Sequence, residues 1–332
     1  MLPRQRHNLI KKLIAVISAA VIGLHLAFRN NFSLMSRLSE EIVAPIRALQ
    51  TRLSSYLPFS LAELLMALCL LWLLLSIKKG GFKRIVSGIA VFALFVYAGF
   101  CFLWGTYYYG DAGMTAEPVS VEQLASVTEA FARLATASYR PEPDRDEIIK
   151  RSGDLNGGIG VKKIVCSRVM SYLDFSGFYF PFTGEANVNV DMPAHDLAST
   201  CAHELAHLNG TAREQEANFE AVKNSLEFGD GDYVYSSALM AYTYLGNALY
   251  GADRDLWEQA YALLSPEVIE DLQETKAYWS QFETPVKEAS NTVYENFLYS
   301  YGQSDGLKSY GRCVDLLVNY YYGKNLLEIS GY

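Results

Sequence analysis

Three apolar runs crowd into the first third of the chain: Leu13 to Phe28, Leu61 to Ile77 and Ile85 to Trp104. Only the third is a clean stretch of twenty residues, about the length that crosses roughly 30 Å of hydrocarbon at 1.5 Å per residue. The first is shorter, but Lys11 and Lys12 at one end and Arg29 at the other can snorkel and extend it. A cleavable signal peptide is the alternative for this run, given its basic start at Arg4 and Arg6. No small-x-small cleavage site follows in Phe28-Arg29-Asn30-Asn31, so a retained anchor is expected. The second run carries Glu63 near its start, where a carboxylate can lie at the interface. Residues 1–105 therefore read as a membrane domain with three transmembrane helices, and a lipid bilayer as a partner.

Charge divides the chain at the same place. Residues 1–105 hold twelve Lys and Arg against three Asp and Glu, a net of +9, whereas residues 106–332 hold sixteen against thirty-three, a net of −17. Lys78, Lys79, Lys83 and Arg84 crowd between the second and third runs, and residues 105–124 contain no basic residue. By the positive-inside rule the N-terminus is expected in the cytoplasm and residues 106–332 outside it, in a multi-pass protein of the cell membrane. The four arginines between Arg29 and Leu57 run against this orientation without reversing it. In that segment Leu34, Leu38, Ile42, Ile46 and Leu49 recur at helical spacing and predict an interfacial amphipathic helix. The acidic excess excludes a nucleic-acid-binding surface, which needs a basic patch.

Five cysteines do not form a framework. Cys69 and Cys101 fall in apolar runs, which leaves Cys166, Cys201 and Cys313 at wide spacing, with room for at most one disulfide. Beyond residue 106 the pattern Val121, Leu124, Val127, Phe131, Leu134 predicts a helix. Glu185 to Asp191 alternates polar and apolar residues without a fault, which predicts a strand with one polar and one buried face. Pro181 and Gly184 just before it suit an edge strand. From Ala194 onward the chain reads as successive helices.

The strongest chemical motif is His203-Glu204-Leu205-Ala206-His207. In a helix, positions i and i+4 share a face, so two imidazoles can converge on one Zn²⁺ while the intervening carboxylate reaches a water. Leu197, Cys201, Leu205 and Leu208 give this helix an apolar side, and Gly210 supplies its stop. A third ligand is needed. Arg213, at the position of the last His in HExxHxxGxxH, cannot serve because it stays protonated. Glu214, Glu216 and Glu220 are all acceptable oxygen donors, and Thr211 to Glu214 also reads as a capping box that would occupy Glu214 otherwise. Asn218, one turn after Glu214, is placed to orient a ligand.

The Glu214-Gln215-Glu216-Ala217-Asn218 run resembles the Glu-x-x-Ala-Asn helix of gluzincin metallopeptidases, which implies that Glu214 is the third ligand. The run from Phe178 to Asn189, the HExxH motif, Pro58 to Leu61, Trp104-Gly105 and Gly306 to Gly311 together resemble an uncharacterised bacterial family of membrane-anchored, zincin-like proteins. That family is itself a domain of unknown function. The resemblance implies an α-rich membrane protein: three N-terminal helices, then a mainly α zincin-like domain over residues 106–332. A small β-sheet is expected there, its edge strand preceding the HExxH helix.

The activity expected is a zinc metallopeptidase acting on a peptide or protein substrate. His203, His207 and Glu214 would hold the metal, and Glu204 would act as general base. The strand would take the substrate by β-addition, with Glu185, Asn187 and Asn189 bordering the cleft. Tyr310, with Arg312, is implied by the resemblance as an oxyanion donor, and Tyr242 and His195 are weaker candidates. A non-catalytic metal-binding or scaffold domain is the alternative. A di-iron bundle is excluded because it needs two Glu-x-x-His pairs.

Overall fold

The structure, a computed structural model, describes residues 3–79, 82–111, 113–301 and 311–332. It is mostly helical and forms two compact units: Met1–Ala112 with Phe180–Glu185, and Gly113–Tyr179 with Ala186–Tyr332.

The first unit holds α1 (Pro3–Phe28), α2 (Phe32–Arg37), a π-helical segment (Leu38–Val43), α3 (Ala44–Ser55), α4 (Leu61–Lys79), α5 (Phe82–Leu103) and α6 (Gly105–Gly110). Among the described residues two stretches, Leu9–Phe28 and Ile85–Gly110, are long and apolar enough to cross a membrane. The expected third span is not among them. The apolar part of α4, Leu61–Ser76, covers only about 24 Å at 1.5 Å per residue, short of the roughly 30 Å of a hydrocarbon layer. Leu13, Val16 and Leu24 on α1 and Phe95 on α5 point outward with about half or more of their surface exposed. The segment expected to lie as one amphipathic helix is helical from Phe32 to Ser55, with a π-helical stretch in its middle. At the start of α4 the Glu185 carboxylate accepts the N–H groups of Leu61 (3.1 Å) and Ala62 (2.9 Å), together with the Thr183 hydroxyl (2.6 Å). An anion there answers the helix dipole and the unpaired donors of the first turn.

The second unit holds α7 (Val121–Ala137), α8 (Arg145–Leu155), β1 (Lys162–Lys163), α9 (Ser167–Tyr172), β2 (Gly177–Phe180), β3 (Glu185–Val188), α10 (Ala194–Asn209), α11 (Glu214–Phe228), α12 (Gly231–Ala252), α13 (Arg254–Tyr261), α14 (Pro266–Ser280), α15 (Pro285–Ser300), α16 (Gly311–Tyr321) and α17 (Leu326–Ile329). The sequence periodicity at Val121 to Leu134 becomes α7, opened by a capping box between Ser120 and Gln123. Its buried stripe, including Phe131 and Leu134, packs with Leu245 and Leu249 of α12 and Leu317 of α16 into one core. A second core joins Ile148, Ala186, Val188, Leu197, Leu205 and Tyr233, and it fixes α10 against the sheet. All five cysteines are free thiols.

The sheet corrects the strand reading. Its order is β1-β3-β2, with β1 parallel to β3 and Lys162 opposite Asn187, so β3 is the central strand and not an edge. Pro181 and Gly184 belong to the turn between β2 and β3, where Gly184 takes φ +64°, and so they carry no information about edges. All four residues of β3 are buried. The amide groups of the polar side donate inward: Asn189 Nδ2 to Ser171 Oγ (2.9 Å) and the Phe175 carbonyl (3.1 Å), and Asn187 Nδ2 to the Phe178 carbonyl (3.4 Å).

Candidate metal centre

α10 runs to Asn209 and stops at Gly210, whose φ of 110° few residues other than glycine adopt. One turn apart on it, the rings of His203 and His207 meet at right angles and their Nε2 atoms lie 3.0 Å apart. The next helix begins at Glu214, with Arg213 at the N-cap and no side-chain cap bond. The capping box read at Thr211–Glu214 is therefore not formed, and the Glu214 carboxylate is free for other work. Its Oε2 lies 3.3 Å from His203 Nε2 and 3.5 Å from His207 Nε2.

These three separations fit a metal. Donors held about 2.0–2.1 Å from one tetrahedral ion are separated by about 3.3 Å. His207 Nδ1 sits 2.6 Å from the Thr211 carbonyl and donates its hydrogen there, which leaves Nε2 as the nitrogen turned to the triangle and able to ligate once its own proton is lost. Glu214 Oε1 accepts the Tyr294 hydroxyl at 2.7 Å, so Oε2 is the oxygen left for the ion. Among the described residues, His203 Nδ1 and Glu204 Oε2 are buried without a hydrogen-bond partner.

Electrostatics follow the same geometry. Burial would raise Glu214, but the charges and hydrogen bonds of His207 and His203 overcome it and hold the carboxyl well below its usual range. Burial would lower His207, yet the Glu214 carboxylate lifts its imidazole to about 9. The cluster thus keeps a proton that a bound cation would displace. Burial pushes the Glu204 carboxyl up to about 7, with the two imidazoles acting against the rise and Glu214 adding to it.

Glu204 packs against the sheet. A Cβ on Gly177 would stand 2.6 Å from Glu204 Oε1 and 2.9 Å from the Asn187 carbonyl, so β2 approaches α10 as closely as a glycine permits. On another side of the triad lies a cavity of about 460 Å³, lined by His203, Glu214 and Asn218 and by Met240, Leu272 and Trp279, among others.

The remaining sequence candidates fall elsewhere. Glu216 is 1% exposed and spends its carboxylate on the Met114 N–H (3.1 Å), Arg312 (3.3 Å) and Arg213 (3.5 Å). Asn218 lines the cavity, while the hydrogen bond that holds Glu214 comes from Tyr294. Glu185 caps α4, Asn187 in β3 and Asn189 just after it are buried, and β3, flanked by β1 and β2, has no free edge to offer a peptide. Tyr310 lies outside the described residues. Tyr242 belongs to the α7–α12 core. Tyr294 and Gly177 escaped sequence reasoning, since Tyr294 is 80 positions from Glu214 and neither belongs to a local motif.

A family model described as a protein of unknown function, DUF3810, matches residues 38–318. The chain belongs to that family. The matched span of this DUF3810 protein contains α10, α11 and Tyr294, and leaves α1 outside. No curated protein and no solved structure is significantly similar to it.

Proposed function

We propose that this DUF3810 chain is a membrane-anchored, zinc-dependent peptidase that cleaves peptide bonds on the extracytoplasmic side. The observation that carries the reading is the triangle of His203 Nε2, His207 Nε2 and Glu214 Oε2, with sides of 3.0, 3.3 and 3.5 Å. The spanning-length helices Leu9–Phe28 and Ile85–Gly110 and the basic residues around them support the anchor and its orientation. Three protein donors are the number that leaves one position of a zinc ion open for chemistry. When bound, the metal would acidify a water molecule and polarise the scissile carbonyl.

The side chains have separate tasks in this reading. Thr211 and Tyr294 fix the donor atoms of His207 and Glu214. Glu204, between the two imidazoles in sequence and with Oε2 unpartnered, takes the proton from water and returns it to the departing amine. The cavity beside His203 and Glu214 receives part of the substrate, its Met240, Leu272 and Trp279 lining favouring an apolar side chain. A competing reading, a metal site that only holds the fold, is favoured by the 3% exposure of Glu204.

Zinc content and peptide-library cleavage by the full-length chain separate the two. Glu204→Gln should keep zinc and lose cleavage by about 10²-fold or more, whereas the His203→Ala/His207→Ala variant should lose one equivalent of zinc and all cleavage. Undiminished proteolysis by Glu204→Gln sinks the peptidase reading. A zinc-loaded wild type that cleaves nothing favours the structural site.

A further inference from the structure

The start of α10 carries another imidazole, in surroundings that repeat those of the first cluster. His195 is 5% exposed. Its Nε2 lies 2.8 Å from Thr275 Oγ1, and Thr275 gives its one hydroxyl hydrogen to Asp196 Oδ2 at 2.6 Å. Thr275 has no second hydrogen to give, so Nε2 is the donor, and Nδ1 is the nitrogen that offers a lone pair when the ring is neutral. That lone pair faces Asp271 Oδ1 at 3.6 Å and Glu274 Oε2 at 3.8 Å, both beyond hydrogen-bond length. Three electron-rich atoms thus converge within 4.8 Å of one another. The Tyr235 hydroxyl donates to the other oxygen of Asp271, as Tyr294 does to Glu214. In each cluster a phenol occupies one carboxylate oxygen and leaves the second turned toward an imidazole.

We propose that His195, Asp271 and Glu274 form a second divalent-cation site, separate from the His203 cluster and independent of whether the chain is a peptidase. One imidazole nitrogen and two carboxylate oxygens suit Zn²⁺ or Mn²⁺. Two donors about 2.1 Å from one ion stand about 3.4 Å apart at the tetrahedral angle and about 3.7 Å apart at roughly 125°, against 3.6 and 3.8 Å from Nδ1 to the two carboxylates, so a small shift of the exposed Glu274 side chain would bring all three onto one ion. Glu274, its side chain 65% exposed, leaves the site open to solvent. Asp271 and Glu274 sit one turn apart on α14, the helix whose Leu272, Thr275 and Trp279 line the cavity. An ion there clips the cavity wall to the helix that carries His203 and His207.

The test is a Zn²⁺ titration of the full-length, untagged, metal-stripped chain against a chromophoric chelator. The wild type should take up two equivalents. Glu274→Gln, at an exposed position that leaves packing intact, should weaken one of them by at least about 10-fold and spare the other. His195→Gln should remove that same equivalent, and His203→Ala/His207→Ala the other one. A Glu274→Gln curve identical to wild type overturns the proposal. So does a single wild-type equivalent that the His203→Ala/His207→Ala variant abolishes; the His195 cluster is then an imidazolium held by two carboxylates. A single equivalent that survives that double variant but is lost in Glu274→Gln supports this site and overturns the His203 centre instead. No uptake at all overturns both.

Discussion

The Tyr294 hydroxyl reaches Oε1 of Glu214 at 2.7 Å, and by doing so it dedicates Oε2 to the two imidazoles. Tyr294→Phe should therefore weaken zinc binding at this centre by about 10-fold to 100-fold without unfolding the chain, and Glu214→Ala should weaken it further. Chelator competition measures both. An affinity unchanged in Tyr294→Phe would reduce the phenol to a ring packed on Phe175 and Phe297.

Glu216 predicts the opposite behaviour. Removing its buried carboxylate leaves Arg213 and Arg312 facing each other without their shared anion, so Glu216→Ala should cost about 3 kcal/mol of stability. Zinc per folded chain should stay at the wild-type value. The unfolding midpoint and elemental analysis of the folded fraction read the two effects separately, and loss of zinc from folded Glu216→Ala would reassign the third ligand.

Gly177→Ala tests the approach of β2 to α10. The added methyl must displace Glu204 or the Asn187 carbonyl, which should lower stability by about 1–3 kcal/mol. Zinc content should persist, because neither imidazole moves. A variant as stable as wild type would mean that Glu204 has room to swing away from the sheet.

Asp191 links the loop after β3 to α14 and α9. Burial would raise its carboxyl, but hydrogen bonds from Tyr278 (2.8 Å) and Arg168 (2.9 Å) outweigh burial and hold it below the ordinary value. A carboxyl depressed in the folded state adds stability that is complete above its unfolded value, about pH 4, and is lost as the pH falls through the folded one. Asp191→Asn should accordingly cost about 1 kcal/mol at pH 7, a modest figure because the pair is solvent-screened. The gap from wild type should shrink below about pH 4. Unfolding midpoints at pH 7 and pH 3 give the comparison, and a gap that widened in acid would contradict the assignment.

What the sequence revealed was whatever one helix or one helix end encodes. The four-residue spacing of His203 and His207, the apolar stripe from Leu197 to Leu208 and the stop at Gly210 are local signals, and α10 follows them. Glu214 was harder, because its neighbour Glu216 offers the same chemistry; only the fold brings Arg312 and Met114 to Glu216 and Tyr294 to Glu214. The alternation at Glu185 to Asp191 gave the right element and the wrong surroundings. Period two reports which side chains share a face, not whether that face meets water, and here the asparagine amides donate to Ser171, Phe175 and Phe178 inside the protein. The His195 cluster was illegible for the same reason, since α10 and α14 meet only in three dimensions. The expected third span falls short among the described residues, where the apolar part of α4 ends at Ser76.

The chain passes between its two units three times, after residues 112, 179 and 185. Dissection by a single cut is therefore not open to this protein. A fragment beginning at residue 113 would carry Phe180–Glu185 away from Gln50 and Thr51, which hold the Phe182 and Gly184 carbonyls, and from the α4 N–H groups that donate to Glu185. The stranded carboxylate would sit at the first residue of β3, eight positions before the loop into α10 ends at Pro193. Any attempt to free the unit that carries the His203 cluster has to redesign that turn along with the cut.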